Sequence, residues 1–144
     1  MRLLVPMLLA GGLVSAQAVY VGGTVEKFKP GLSGAIHTTN SKAMVFATRA
    51  GGVGVPYERI NLLEYGQNVS RRLLLAVVIS PMFLLAKSRK HFLTVGYEDE
   101  QGRQQAMIFR IDKGHVRVVL ASLEARTGVK VTFQDDEARK AGKG

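Results

Sequence analysis

The clearest helical period in this chain lies in Asp112–Thr127. There Val116, Val119, Leu120 and Leu123 fall at i, i+3, i+4 and i+7 and form one apolar stripe. Ahead of it, apolar residues mostly alternate over short runs separated by turn residues, the pattern of strands. A stripe of this kind has to be covered, and nothing but a sheet is available to cover it. The expected fold is therefore mostly β, a barrel or sandwich of about six or seven strands with one C-terminal capping α-helix. Asp112 suits the N-cap, Arg126 the last turn, and Gly128 the left-handed position that ends a helix.

The strands can be placed from their punctuation. Val19–Phe28 is rich in Val, Tyr and Thr and stops at Lys29-Pro30-Gly31. Gly34–Thr39 and Lys42–Thr48 read as a hairpin across Asn40-Ser41, and His91–Glu98 with Gln104–Ile111 as a second one around Asp99–Arg103. Ala50–Gly54 reads as a glycine-rich hairpin turn, followed by an irregular strand over Val55–Tyr65 that starts near Pro56. Val129–Phe133 offers one more short strand. A chain of 144 residues fits one domain.

The N-terminus reads as an address. Met1-Arg2 is a basic start, Leu3–Val14 is apolar, and Ser15-Ala16-Gln17-Ala18 offers the small–x–small pattern of a signal peptidase site. We expect residues 1–18 to be a signal peptide, 19–133 the domain, and 134–144 a flexible charged tail. The expected location is exported, periplasmic or extracellular, and peripheral to a membrane. With no cysteine, disulfides, thiolate chemistry and a lipoprotein anchor are excluded.

The chain carries 20 Lys and Arg against 11 Asp and Glu, a net charge of +9 that favours acidic partners. Five of these cations bracket one segment. Leu73–Ala86 is apolar all round, with Arg71 and Arg72 before it and Lys87, Arg89 and Lys90 after it. As a helix it would extend about 21 Å, short of the roughly 30 Å hydrocarbon core, and Ser80-Pro81 would break it. Three readings stay open: buried core, a loop docking on a membrane or a protein partner, or a homo-oligomer interface. In the docking reading Arg71, Arg72, Lys87, Arg89 and Lys90 supply charge, while Ile79, Met82, Phe83 and Leu84 supply apolar contact.

Catalytic and ligand constellations are not apparent. His37, His91 and His115 show no metal-ligand spacing, and no serine sits in a nucleophile elbow. Glu58 and Glu64 read as solvated strand carboxylates. The glycines at 51–54 precede a proline and a strand instead of a helix N-terminus, so they are no phosphate loop. Basic residues without interleaved aromatics, together with export, argue against nucleic acid.

Gly34–Phe46, reading Gly-Ala-Ile-His-Thr-Thr-Asn-Ser-Lys-Ala-Met-Val-Phe, resembles the opening of bacterial pleckstrin-homology-like and GRAM-like domains. Val55-Pro56-Tyr57-Glu58-Arg59-Ile60 is similar to their apolar–Pro–aromatic–x–x–Ile segment, and the late hairpin and final helix follow in their order. The resemblance spans Tyr20 to Phe133. It implies a non-catalytic module, without cofactor, that binds lipid head groups, peptides or proteins. The functional expectation is an exported binding module meeting an anionic membrane surface or a protein partner through 71–90, with the apolar insert at 73–86. A structural or assembly protein built on the same segment is the alternative, and an enzyme the third class.

Overall fold

The computed structural model describes residues 15–67, 78–79, 91–134, 139–140 and 142. Among these residues the chain forms nine strands and one bounded α-helix, and Arg139, Lys140 and Gly142 are helical as well. The strands are β1 (Ser15–Gly23), β2 (Leu32–His37), β3 (Ala43–Thr48), β4 (Gly51–Pro56), β5 (Ile60–Gly66), β6 (Val78–Ile79), β7 (Phe92–Glu98), β8 (Gln104–Ile111) and β9 (Val131–Phe133); the helix is α1 (Val116–Thr127). They make one sheet in the order β4-β3-β2-β1-β8-β7-β5-β9, with β6 paired to β1. The expected class, mostly β with a C-terminal helix, is what the chain adopts. The strand number exceeds the expected six or seven.

Two local features account for part of the surplus. The expected strand over 55–65 is split, because Pro56 leads into a 3₁₀ turn at Tyr57–Arg59 before β5 resumes. The expected glycine turn is itself strand. Gly51–Gly54 pairs with Val45–Thr48, and the turn falls on Arg49-Ala50. There Gly51 takes φ +107, which a side chain would resist.

Both expected hairpins form. β2 pairs β3 from Gly34↔Thr48 to His37↔Val45, and β7 pairs β8 from Phe92↔Arg110 to Glu98↔Gln104. β1 is the hub. Ser15–Tyr20 pair with β2, Ala18–Gly23 pair with β8, and a bulge falls between Tyr20 and Gly22. β1 ends earlier than the expected Phe28, at Gly23, where φ is +149 and any Cβ would run into the Ala106 carbonyl. The chain then folds back through Gly31 N–H to the Tyr20 carbonyl at 2.7 Å, which drops Phe28 into the core.

That core is aromatic at its centre. Phe46 packs 4.8 Å from Phe109 and 5.5 Å from Phe28, which lies 5.5 Å from Tyr20, all in tilted or edge arrangements. Such pairs add about 0.5–1.5 kcal/mol each beyond area burial. The predicted stripe of α1 is buried in the same core through Val116, Val119, Leu120 and Leu123.

The ends of α1 differ from each other. Lys113–His115 form a 3₁₀ turn first, and Asp112 makes no side-chain cap there; its carbonyl accepts His115 N–H at 2.9 Å instead. The C-terminal end behaves as expected, with Gly128 left-handed (φ 75) and its N–H on the Glu124 carbonyl at 2.9 Å. Glu124 then accepts Val131 N–H at 2.8 Å, which launches β9 parallel to β5. Buried Thr38 shares a 2.7 Å hydrogen bond with Ser122, tying the exit of β2 to α1.

The packed region reaches beyond 19–133 at both ends. β1 starts at Ser15, so Ser15–Ala18 of the expected signal segment lie within the sheet. In the charged tail the Arg139 guanidinium sits 5.5 Å over the Phe133 ring, and Gly142 is buried near Phe133 and Leu120.

Candidate functional site

Of the residues nominated from sequence, Arg71, Arg72, Met82, Phe83, Leu84, Lys87, Arg89 and Lys90 lie outside the described residues. Ile79 is described by its backbone. With Val78 it forms β6, antiparallel to the end of β1 at Gly22↔Ile79 and Gly23↔Val78. β2 pairs with β1 only as far as Tyr20, so β6 continues along β1 where β2 has left it.

The segment is rooted between β5 and β7, whose last and first residues face one another as Gly66↔Phe92. The root is built from Tyr65, His91 and Phe133. The Tyr65 hydroxyl hydrogen-bonds His91 Nδ1, and the two rings stack with centroids 5.9 Å apart and 6° between planes. Phe133 from β9 meets Tyr65 edge-on at 6.2 Å. Burial pushes the Tyr65 phenol up to about 12, so it stays protonated. Burial first, and then the Lys113 charge, hold His91 below its ordinary value of 6.5. A protonated phenol beside a neutral imidazole fits O–H donation to Nδ1, which places the ring proton on Nε2. The His91 carbonyl accepts Ile111 N–H at 2.8 Å, fixing the point where the segment rejoins the sheet.

Glu64, expected on the solvated surface, is buried at 7% exposure. It faces Thr94 across β7 and accepts a hydrogen bond from Gln134 Nε2 at 3.3 Å. The reason is β9: a strand added on the outer side of β5, with Gln134 following it, covers the carboxylate. That pairing joins residues far apart in sequence, so only the placement of β9 exposes it. The Tyr65–His91 pair was equally hidden, because the two residues meet only when β5 and β7 are adjacent.

A second feature is a groove of about 650 Å³ where the β2–β3 turn, the 3₁₀ turn and the end of α1 converge, lined by Lys42, Tyr57, Glu58, Arg126 and Thr127 among others. Tyr57 donates its hydroxyl to the Asn40 carbonyl at 2.8 Å, and the Arg126 guanidinium lies 5.8 Å over its ring. Burial raises the Tyr57 phenol and Arg126 opposes the rise. Its hydroxyl is thus committed to a structural bond, and Lys42 and Arg126 share the groove with Glu58. Along the glycine strand β4, Lys27 Nζ donates to the Gly52 carbonyl at 2.8 Å.

Among the described residues no three His, Cys, Asp or Glu side chains gather to hold a metal ion. His37 ends β2, His91 precedes β7 and His115 precedes α1, each on a separate element. No helix among them is long and apolar enough to cross a membrane. Neither a family model nor a curated protein matches this chain.

Proposed function

We propose that this chain is an exported binding module of pleckstrin-homology-like architecture that meets an anionic membrane surface through the segment 71–90. The observation that carries the reading is the connection itself. β5 and β7 are antiparallel neighbours whose facing ends a loop of about 2–5 residues could join, yet residues 67–91 intervene. Connections longer than about 12–15 residues without secondary structure of their own are uncommon in compact domains and are usually functional or linker segments, and among its described residues this one carries only the two-residue strand β6. This one holds an apolar centre between two basic flanks.

Energetics support a surface role. Arg71, Arg72, Lys87, Arg89 and Lys90 would each gain about 1 kcal/mol near an anionic leaflet, and the gain is screened by salt. Met82, Phe83 and Leu84 would add about 1.5–3 kcal/mol each on full burial. The architecture supports the family reading in kind: a four-strand meander β1–β4, a second antiparallel set β5, β7 and β8, then a helix.

Co-sedimentation with phosphatidylglycerol-containing vesicles tests this. The chain should sediment at low salt, lose that binding progressively as salt rises, and ignore purely zwitterionic vesicles. Phe83→Asp should abolish binding with the folded spectrum intact. No sedimentation at low salt would sink the membrane reading, and so would unfolding by Phe83→Asp, which would make that residue core. A mass that rises with protein concentration, without vesicle binding, would establish the assembly role instead.

A further inference from the structure

The groove beside Tyr57 is framed by the pairing of β3 with β4 and closed by the end of α1. The register Ala43↔Pro56 brings the β2–β3 turn against the start of the 3₁₀ turn. Two bonds then fix Tyr57 in that frame: its N–H donates to the Lys42 carbonyl at 3.0 Å, and its hydroxyl to the Asn40 carbonyl at 2.8 Å. Asn40 Oδ1 in turn accepts Lys42 N–H at 2.7 Å and Ala43 N–H at 3.1 Å, so the backbone under Lys42 is held as well. Tyr57 is buried, and half-buried Ala43 and Pro56 line the groove beside it.

Three charged side chains line this fixed frame without neutralising one another. The Arg126 guanidinium lies 5.8 Å over the Tyr57 ring, a contact that limits where its planar fork can move. Among the described residues Lys42, Glu58 and Arg126 form no ion pair, although all three line the same groove. Opposite charges that share a groove without meeting leave room for the charges of a ligand. The volume of about 650 Å³ falls within the roughly 300–1,000 Å³ of ligand pockets. Two cations against one carboxylate suit a ligand with a carboxylate and a basic group beside it. Glu58 opposes the second negative charge that a phosphate dianion would bring. The C-terminal end of α1, which bears a partial negative charge, favours the basic group as well.

We propose that this groove binds an extended peptide in which an acidic and a basic side chain stand two residues apart. Lys42 and Arg126 take the carboxylate through charge-assisted hydrogen bonds, and Glu58 takes the basic group. In an extended chain residues i and i+2 face the same side, about 6.6–6.8 Å apart, so one face of the peptide presents both charges to the groove. The site is separate from the segment proposed to meet a membrane. It lies at the start of β5, and the 67–91 connection leaves from the end of that strand, seven residues and roughly 20 Å along it. Failure of either reading therefore leaves the other standing.

The experiment titrates the isotope-labelled full chain at low salt with the peptide Gly-Glu-Gly-Lys-Gly, blocked at both ends, and follows the amide resonances. Shifts should centre on Lys42, Ala43, Tyr57, Glu58, Arg126 and Thr127, and added salt should weaken binding. Gln in place of the peptide's Glu, or Lys42→Glu or Arg126→Glu in the protein, should each weaken it roughly three- to fivefold. Glu58→Lys should reverse the preference, so that Gly-Glu-Gly-Glu-Gly binds better than the original peptide. Lys42 and Glu58 are exposed, so their variants should keep the parent's urea midpoint and decide the matter even where Arg126→Glu unfolds. No shifts at these amides, equal affinity for the Gln peptide, or no reversal by Glu58→Lys overturns the proposal. Shifts at the same amides with free phosphoethanolamine, and none with the peptide, would replace it by a lipid head-group site.

Discussion

Two buried tyrosines, one in each aromatic cluster, show how differently the same side chain can be used in this fold. Tyr20 lies in the central core with Phe28, Phe46 and Phe109, and its hydroxyl has no hydrogen-bond partner among the described residues. Tyr65 lies at the root of the 67–91 connection with His91 and Phe133, and its hydroxyl is bonded to His91. Burial raises both phenols to about 12; at Tyr20 the Val25 backbone offsets part of the rise without reaching hydrogen-bond geometry. The first cluster is packing alone. The second joins packing to titratable groups at the end of β5 and the start of β7, so it can respond to pH.

The contrast is open to breaking. Its largest expected effect concerns the rings. Phe46→Ala, at a fully buried position, should cost about 3–5 kcal/mol in urea unfolding, whereas Phe133→Ala, only partly buried, should cost about 1 kcal/mol. Comparable losses at both positions would mean that the root is as much core as the centre.

A smaller effect separates the two hydroxyls by sign. Tyr65→Phe removes a hydrogen bond and should cost about 0.5–1.5 kcal/mol, while Tyr20→Phe removes a buried hydroxyl without a partner and should be neutral or stabilising. Equal destabilisation by both would show that Tyr20 also has a partner in solution.

The smallest effect is a pH dependence confined to the root. His91 is held below its unfolded value of 6.5, so on acidification the unfolded chain takes up the proton first. Its contribution to stability is therefore present above about pH 6.5 and is lost as the pH falls towards the depressed folded value. His91→Gln should remove that part of the acid sensitivity, and Lys113→Ala should reduce it. Unchanged pH profiles in both variants would assign the acid sensitivity elsewhere.

Locally repeating features of this protein could be read from the chain. The stripe Val116-Val119-Leu120-Leu123 needs only the helical period, and the two hairpins need only alternation and turn residues. Features that depend on distant partners could not. Glu64 looks like any solvated strand carboxylate until β9 pairs beside it, and Gly51–Gly54 looks like a turn until β3 supplies a ladder. The nominated surface 71–90 is visible in sequence as charge around apolarity, but that pattern is the same whether the centre faces protein or lipid.

The sequence by itself determined a mostly β domain with one capping helix, because period and turn chemistry act over a few residues. Tertiary structure alone decided the strand order, the parallel β5–β9 pair, the Tyr65–His91 contact and the burial of Ala16 and Ala18 within β1. The physical reason is common to all four. Each depends on which strand lies alongside, and β1 acquires β2 and β6 along one edge and β8 along the other from distant parts of the chain.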